Sequence, residues 1–190
     1  MRFTAKLLEN RVLYEGRFAL TQTRAEVSDP QGHAFLVDHE VYRHGFAAAA
    51  LLYDPDRGVA MLVRQFRMPP FLADGVTEML EVCAGMLDGD APEAGARREV
   101  LEETGVEARE LVHAFDAYMS PGGVTERISC FTARYSPADR RHAGGGVDAD
   151  EHIEIVEMPF ELALAMIGRG EIRDAKTISL LYHARVRGLM

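Results

Sequence analysis

The sequence predicts an α/β fold with one sheet covered on both faces, preceded by a smaller antiparallel β segment. Three features carry this expectation. Residues 91–104 bear the start and stop signals of a single helix, 47–53 and 59–67 are two apolar runs about a tight turn, and 18–27 and 34–42 read as a strand pair. At 190 residues and 47% hydrophobic, the chain can build one substantial core with an appendage rather than two full domains. The expected division is an N-terminal β segment over 1–45 and a main domain over 46–190.

In the N-terminal segment, Asp29-Pro30-Gln31-Gly32 places Pro at the second position of a turn between the strands 18–27 and 34–42. An isolated hairpin is marginal in water. It must pack on the main domain or on a partner chain. The runs Ala47-Ala48-Ala49-Ala50-Leu51-Leu52-Tyr53 and Val59-Ala60-Met61-Leu62-Val63, joined through Asp54-Pro55-Asp56-Arg57-Gly58, have no polar alternation and belong at the centre of the sheet. Arg64 and Arg67 end the second run, before an expected loop at Met68-Pro69-Pro70-Phe71. Arginine suits bidentate phosphate recognition, which makes Arg67 a candidate ligand. Arg64 lies on the other side of the pleat and is expected to be structural.

A strand over 79–84 leads to Gly85, where the backbone can turn closely. Glu81 on it either faces the site or is an ordinary alternating position. Asp90 can cap the following helix, with Pro92 in its first turn and Glu93 returning the capping bond, while Gly105 supplies a left-handed stop. Strands are expected over 111–118 and 128–135. Between them Ser120-Pro121-Gly122-Gly123-Val124-Thr125-Glu126 forms a tight loop that delivers Glu126. Residues 136–150 lack periodicity and read as a loop over a site or as a connector; their three glycines do not make a phosphate cradle. A strand over 153–157, a helix over 160–167 and a last helix over 174–186 complete the chain. Lys176 stands at the start of the last helix, where a phosphate can bind.

A net charge of −9 argues against partners that need a basic face, so neither nucleic acid nor an anionic membrane surface is expected. There is no run of 18 apolar residues and no signal-peptide pattern. Cys83 and Cys130 lie in strand-like runs and are expected as free buried thiols, pointing to a cytoplasmic protein. The seven histidines show no zinc-ligand spacing.

The chemistry gathers on the 91–104 helix. Glu99, Glu102 and Glu103 are three and four residues apart, which stacks their carboxylates on one face. Like charges so placed repel, and a hard divalent cation, Mg²⁺ or Mn²⁺, would convert the repulsion into a binding site. Arg98, four before Glu102, can neutralise that residue and leave Glu99 and Glu103 for the metal.

The string Arg98-Glu99-Val100-Leu101-Glu102-Glu103-Thr104-Gly105-Val106 resembles the core of the Nudix box. Upstream, Asp90 stands where the pattern has Glu, and only four residues separate it from Gly85. Cys83-Ala84-Gly85-Met86-Leu87-Asp88 is similar to the lead-in found in the GDP-mannose pyrophosphatase group of that family. The resemblance implies an α/β/α sandwich with a mixed sheet and a homodimer paired through the N-terminal β segment. It also implies Mg²⁺ held by Glu99, Glu103, the Ala84 carbonyl and Glu151, and catalysis by Glu103, Glu151 and Glu126. Its substrate contacts would be Arg17, Asp38, His39, Glu40, Arg67, Ala84, Gly85, Met86, Glu126, Asp150 and Lys176. The implied reaction splits the pyrophosphate of a nucleoside diphosphate sugar, GDP-mannose first and ADP-ribose second. A nucleotide-sensing module that does not cut is the alternative of another class; such modules commonly lose a carboxylate, whereas all three are present here.

Overall fold

A computed structural model of the chain describes residues 2–146 and 152–190. It divides into two compact units, one of Met1–Gly45 with Tyr118–Arg127, the other of Phe46–Ala117 with Ile128–Met190.

The first unit is built on an antiparallel sheet of β1 (Thr4–Glu15), β2 (Ala19–Ser28) and β3 (Ala34–Arg43). The expected strand pair and turn are present, with Gly32 at φ 90° and its N–H donating to the Asp29 carbonyl. The expectation omitted β1. Every residue of that strand is exposed, and its pairing with β2 slips at Leu7/Glu9 and Val12/Tyr14, so no regular alternation marks it. The loop from Ser120 is held to the end of β3, where Tyr42 N–H donates to the Gly123 carbonyl and Thr125 N–H to the Tyr42 carbonyl.

The second unit holds a seven-stranded mixed sheet of order β10-β5-β4-β9-β8, with β6 on β5 and β7 on β4. Its strands are β4 (Phe46–Asp54), β5 (Val59–Gln65), β6 (Met79–Glu81), β7 (Cys83–Met86), β8 (Val112–Tyr118), β9 (Arg127–Arg134) and β10 (Glu154–Pro159). The helices are α1 (Met68–Asp74), α2 (Pro92–Thr104), α3 (Phe160–Gly168) and α4 (Ala175–Val186). Residues 47–52 of β4 are all buried, as expected for a strand covered on both faces. Ala48, Ala50 and Leu52 join Ala96 and Val100 of α2 in one core cluster. Alternation turns Ala47, Ala49 and Leu51 to the opposite face, and α4 also packs on β4. The alanine run lets both helices come close to the sheet. Cys83 and Cys130 are free and buried. No helix among the described residues is long and apolar enough to cross a membrane.

Two local expectations need correction. The segment from Met68 is helical rather than a loop: Pro69 and Pro70 occupy its first turn, where no N–H is required, and no residue of it is buried. Asp90 does not cap α2; Ala91 holds that position without a side-chain bond, and Glu93 pairs with Arg97 instead. Asp90 closes a turn through Asp88 (φ 47°) and Gly89 (φ 98°), its N–H donating to the Leu87 carbonyl. Of the expected loop or connector over 136–150, residues 136–146 are described, and they lie against the end of α2. Pro137–Asp139 is a short 3₁₀ turn, and Arg141, Gly145 and Gly146 donate their N–H groups to the carbonyls of Gly105, Glu103 and Glu102. The segment thus satisfies acceptors that the end of α2 leaves open.

Gly105 stops α2 in the left-handed region, at φ 72°. A Cβ there would also overlap the His142 carbonyl, whereas Gly170, at the same φ of 72°, faces open space. Gly170→Ala is therefore expected to cost only the backbone term of ~1–2 kcal/mol, and Gly105→Ala measurably more in urea unfolding. Equal losses would show that the 141–146 contact adds nothing to stability.

Candidate active site

The expected Glu-rich face does not point into solvent. Burial rises from Glu102, with 28% of its side chain exposed, through Glu99 at 13%, to Glu103, which is 3% exposed as a residue. Glu103 reaches β7, accepting the Ala84 N–H at 3.3 Å and a hydrogen bond from the Cys83 thiol. Burial first, and then the neighbouring Glu99 charge, push its carboxyl up to about 7 despite those bonds. The same burial, with Glu103 beside it, raises the Cys83 thiol well above its ordinary range.

Glu99 lies against the backbone at Gly85, and a Cβ on that residue would overlap the Glu99 carboxyl. Gly85 therefore permits close approach of helix and strand. Arg98 Nη1 stands 2.9 Å from Glu99 and 3.0 Å from Glu102, and Nη2 donates to the Met86 carbonyl at 3.1 Å. The expected pairing with Glu102 is present, but Arg98 serves Glu99 too.

Glu99 and Glu102 thus share one guanidinium, and Glu103, the most buried of the three carboxylates, is pushed toward its neutral form. This oxygen-donor set fits a hard divalent cation, which Glu99 and Glu103 could hold. Among the described residues no three His, Cys, Asp or Glu side chains form a complete metal-binding group. Asp150 and Glu151 lie outside the described residues.

Beside this pair lies a second charged group. Arg67, the residue before α1, donates Nε to Glu81 Oε1 at 2.8 Å and Nη2 to Oε2 at 3.1 Å. Lys176 Nζ donates to the same Oε2 at 2.6 Å and to Asp174 Oδ1 at 2.8 Å. Asp174 caps α4 by accepting the Thr177 N–H, and the Thr177 hydroxyl accepts the Val82 N–H at 2.8 Å. Burial works to raise the Glu81 carboxyl, but the Lys176 charge and the Arg67 bonds outweigh it and hold it below the usual range. Lys176 is itself buried, its ammonium engaged by two carboxylates, so a phosphate would have to compete with both. Arg64 pairs with Glu154 at 2.7 Å and stands 3.7 Å from Glu78.

The second unit accordingly brings together Arg67, Ala84, Gly85, Met86, Glu99, Glu103 and Lys176. The first unit carries Arg17, Asp38, His39, Glu40 and Glu126. Asp38 is engaged across the strands by Arg24 and Gln22, while His39 and Glu40 are exposed on β3. Arg17 lies over the Phe18 ring at 5.7 Å. Glu126 stands 3.1 Å from Nδ1 of His44, whose ring packs 4.2 Å from that of Phe18. Sequence reasoning passed over His44 and Asp174 and left Glu81 undecided. The Asp-x-x-Thr spacing of a helix cap was a usable signal for Asp174.

Comparison with known proteins agrees with this geometry. The NUDIX domain family model matches residues 43–181. The GDP-mannose pyrophosphatase of Cronobacter sakazakii is 42% identical over 191 residues, covering all of both chains. That of Klebsiella pneumoniae subsp. pneumoniae is 43% identical, covering all of this chain and 96% of its own. Among solved structures, one described as an ADP compounds hydrolase superposes with a TM-score of 0.73 over 97% of this chain and 95% of its own. At 16% identity that likeness concerns the fold. With a family model over most of the chain, and full-length relatives whose match includes the carboxylate helix, the chain belongs to the NUDIX family.

Proposed function

We propose that this chain is a Nudix pyrophosphohydrolase that splits the diphosphate of a nucleoside diphosphate sugar, GDP-mannose foremost, into a nucleoside monophosphate and a sugar phosphate. The observation that carries this is the full-length similarity to GDP-mannose pyrophosphatases, which extends through the N-terminal unit as well as the matched domain. The retained, inward-facing Glu99 and Glu103 favour hydrolysis over a module that only senses nucleotide.

The cation is Mg²⁺, with Mn²⁺ as a substitute, held by Glu99, Glu103, the Ala84 carbonyl and Glu151. When bound, it withdraws charge from the diphosphate and lowers the pKa of a coordinated water. Glu103, its carboxyl pushed up to about 7 by burial, must give up its proton to act as a full anion there, and the Ala84 N–H and Cys83 thiol hold its carboxyl in place. Arg67, with 41% of its side chain exposed, offers its outer edge to a phosphate oxygen. Glu151, with Asp150 in reserve, takes the proton of the attacking water, and Glu126 contacts the substrate. Water adds to one phosphorus as the bridging oxygen leaves with the other, so no further reactant is needed.

The N-terminal sheet supports a homodimer. Its strands expose Leu7, Leu8, Val12, Leu13, Phe35 and Leu36, an apolar surface that a second copy would cover. In such a dimer Arg17, Asp38, His39 and Glu40 would supply substrate contacts. The free buried thiols accord with a reducing cytoplasm.

The deciding assay is a panel of GDP-mannose, ADP-ribose and other nucleotide sugars with Mg²⁺, products identified by mass and heavy-oxygen water locating the attacked phosphorus. GDP-mannose is expected to give the highest kcat/KM; a preference for ADP-ribose would move the substrate assignment, and no turnover on any would refute the function. Glu103→Gln should lower kcat by more than the ~10–100-fold typical of residues that only orient a ligand, with its melting temperature kept.

The raised Glu103 pKa gives a signed stability prediction for metal-free protein. The folded state binds a proton that the unfolded chain, near 4.5, has released, so the group's stability contribution is full below pH 4.5 and is lost as pH rises through about 7. At ~1.4 kcal/mol per unit, the change is of the order of 3 kcal/mol. Urea unfolding in EDTA should show this decline, and Glu103→Gln should flatten it.

A further inference from the structure

The Arg67 guanidinium is gripped by one side chain, Glu81. The Arg67 backbone precedes α1, a helix with no buried residue, and its carbonyl accepts a 3.3 Å bond from Phe71. Against that, Glu81 takes one whole edge of the guanidinium, Nε and Nη2, with both carboxylate oxygens. A planar fork fixed along one edge presents the remaining N–H groups of Nη1 and Nη2 in a set direction. Glu81 is 3% exposed while Arg67 keeps 41% of its side chain accessible, so the buried partner is the anchor and the exposed one is free to meet a ligand.

Glu81 is in turn fixed from a distant part of the chain. Lys176, 95 residues away, donates to its Oε2, and Asp174 and Thr177 tie that lysine and the start of α4 to the backbone at Val82. Four charges, two of each sign, are thereby closed into a balanced group, which a buried ionic cluster requires. Lys176 supports Glu81 here rather than facing outward.

We propose that Glu81 is a positioning residue for substrate, holding the Arg67 guanidinium edge-on so that its outer edge receives a phosphate oxygen of the nucleotide sugar, with Lys176 and Asp174 fixing Glu81. This rests on the reading of Arg67 as a diphosphate ligand. A purely structural Glu81 would affect melting alone. A positioning Glu81 acts on substrate binding, and only through Arg67.

The test is a double-mutant cycle on the full chain, with KM and kcat measured for GDP-mannose and folding followed by circular dichroism. Arg67→Ala and Glu81→Gln are each expected to raise KM about tenfold or more with kcat within about threefold, and the double variant should be no worse than Arg67→Ala. Millimolar guanidinium ion should restore part of the activity of Arg67→Ala but none to the double variant, since only Glu81 can seat it. Effects that multiply, rescue of both variants alike, or an unchanged KM in Glu81→Gln would overturn the proposal while leaving Arg67 a ligand. An unchanged KM in Arg67→Ala would remove the ligand reading itself. Should Glu81→Gln fail to fold, Arg67→Lys carries the test, because it keeps the charge without the fork: a KM like that of Arg67→Ala supports edge-on positioning, and a KM like the native protein's overturns it.

Discussion

The structure turns on the burial of one carboxylate, Glu103, against the backbone of β7. A carboxyl 3% exposed, with a neighbouring anion four residues before it, is costly to keep charged in a folded chain. Several small residues exist to allow it. Ala48 and Ala50 let α2 settle close to β4, and Gly85 leaves room for the Glu99 carboxyl where any side chain would collide. The local sequence therefore accommodates an unfavourable charge arrangement, which stability alone would not select.

The two charged groups of the second unit differ in balance, and the difference separates their roles. Arg67, Glu81, Lys176 and Asp174 cancel in sign, and the mutual bonds hold the Glu81 carboxyl below, and the Arg67 and Lys176 cations above, their ordinary ranges. Such a group can be buried and rigid without a ligand. Arg98 pairs with Glu99 and Glu102 while Glu103 lies deeper, with the Arg67 charge acting on it, and its burial and the Glu99 charge prevail, so that it holds its proton to about pH 7. An uncompensated set of oxygen donors is the one that gains by taking up a cation.

Legibility in the sequence followed the range of the interaction. The central strands were evident because β4 and β5 are buried on both faces and so lack polar alternation, and the end of α2 was evident because Gly105 must be left-handed. The carboxylate face was evident from i, i+4 spacing. Elements with no buried side escaped: β1 is exposed throughout and α1 has no buried residue, so neither core packing nor a regular period left a trace. Asp90 and Glu93 satisfied the pattern of a capping box, yet the turn at Asp88-Gly89 carried Asp90 off the helix axis, and both acids answer to arginines, at Arg98 and Arg97. Glu81 could not be resolved by period alone, because its partners lie 14 and 95 residues away.

The glycines at 144–146 show how the same residues can be misread when only their flexibility is considered. All three have positive φ, which suits an open loop, and none precedes a helix that could bind phosphate. Their positions against α2 give the physical reason. A Cβ on Gly144 would overlap the Glu103 carbonyl, and the N–H groups of Gly145 and Gly146 close on the carbonyls of Glu103 and Glu102. The backbone of the two acidic residues is thus fixed from outside the helix, at the turn where an α-helix has no donors of its own. The glycine segment and the carboxylate helix are one packing unit, so a side chain introduced at Gly144 would act on Glu103 as directly as a change within the box.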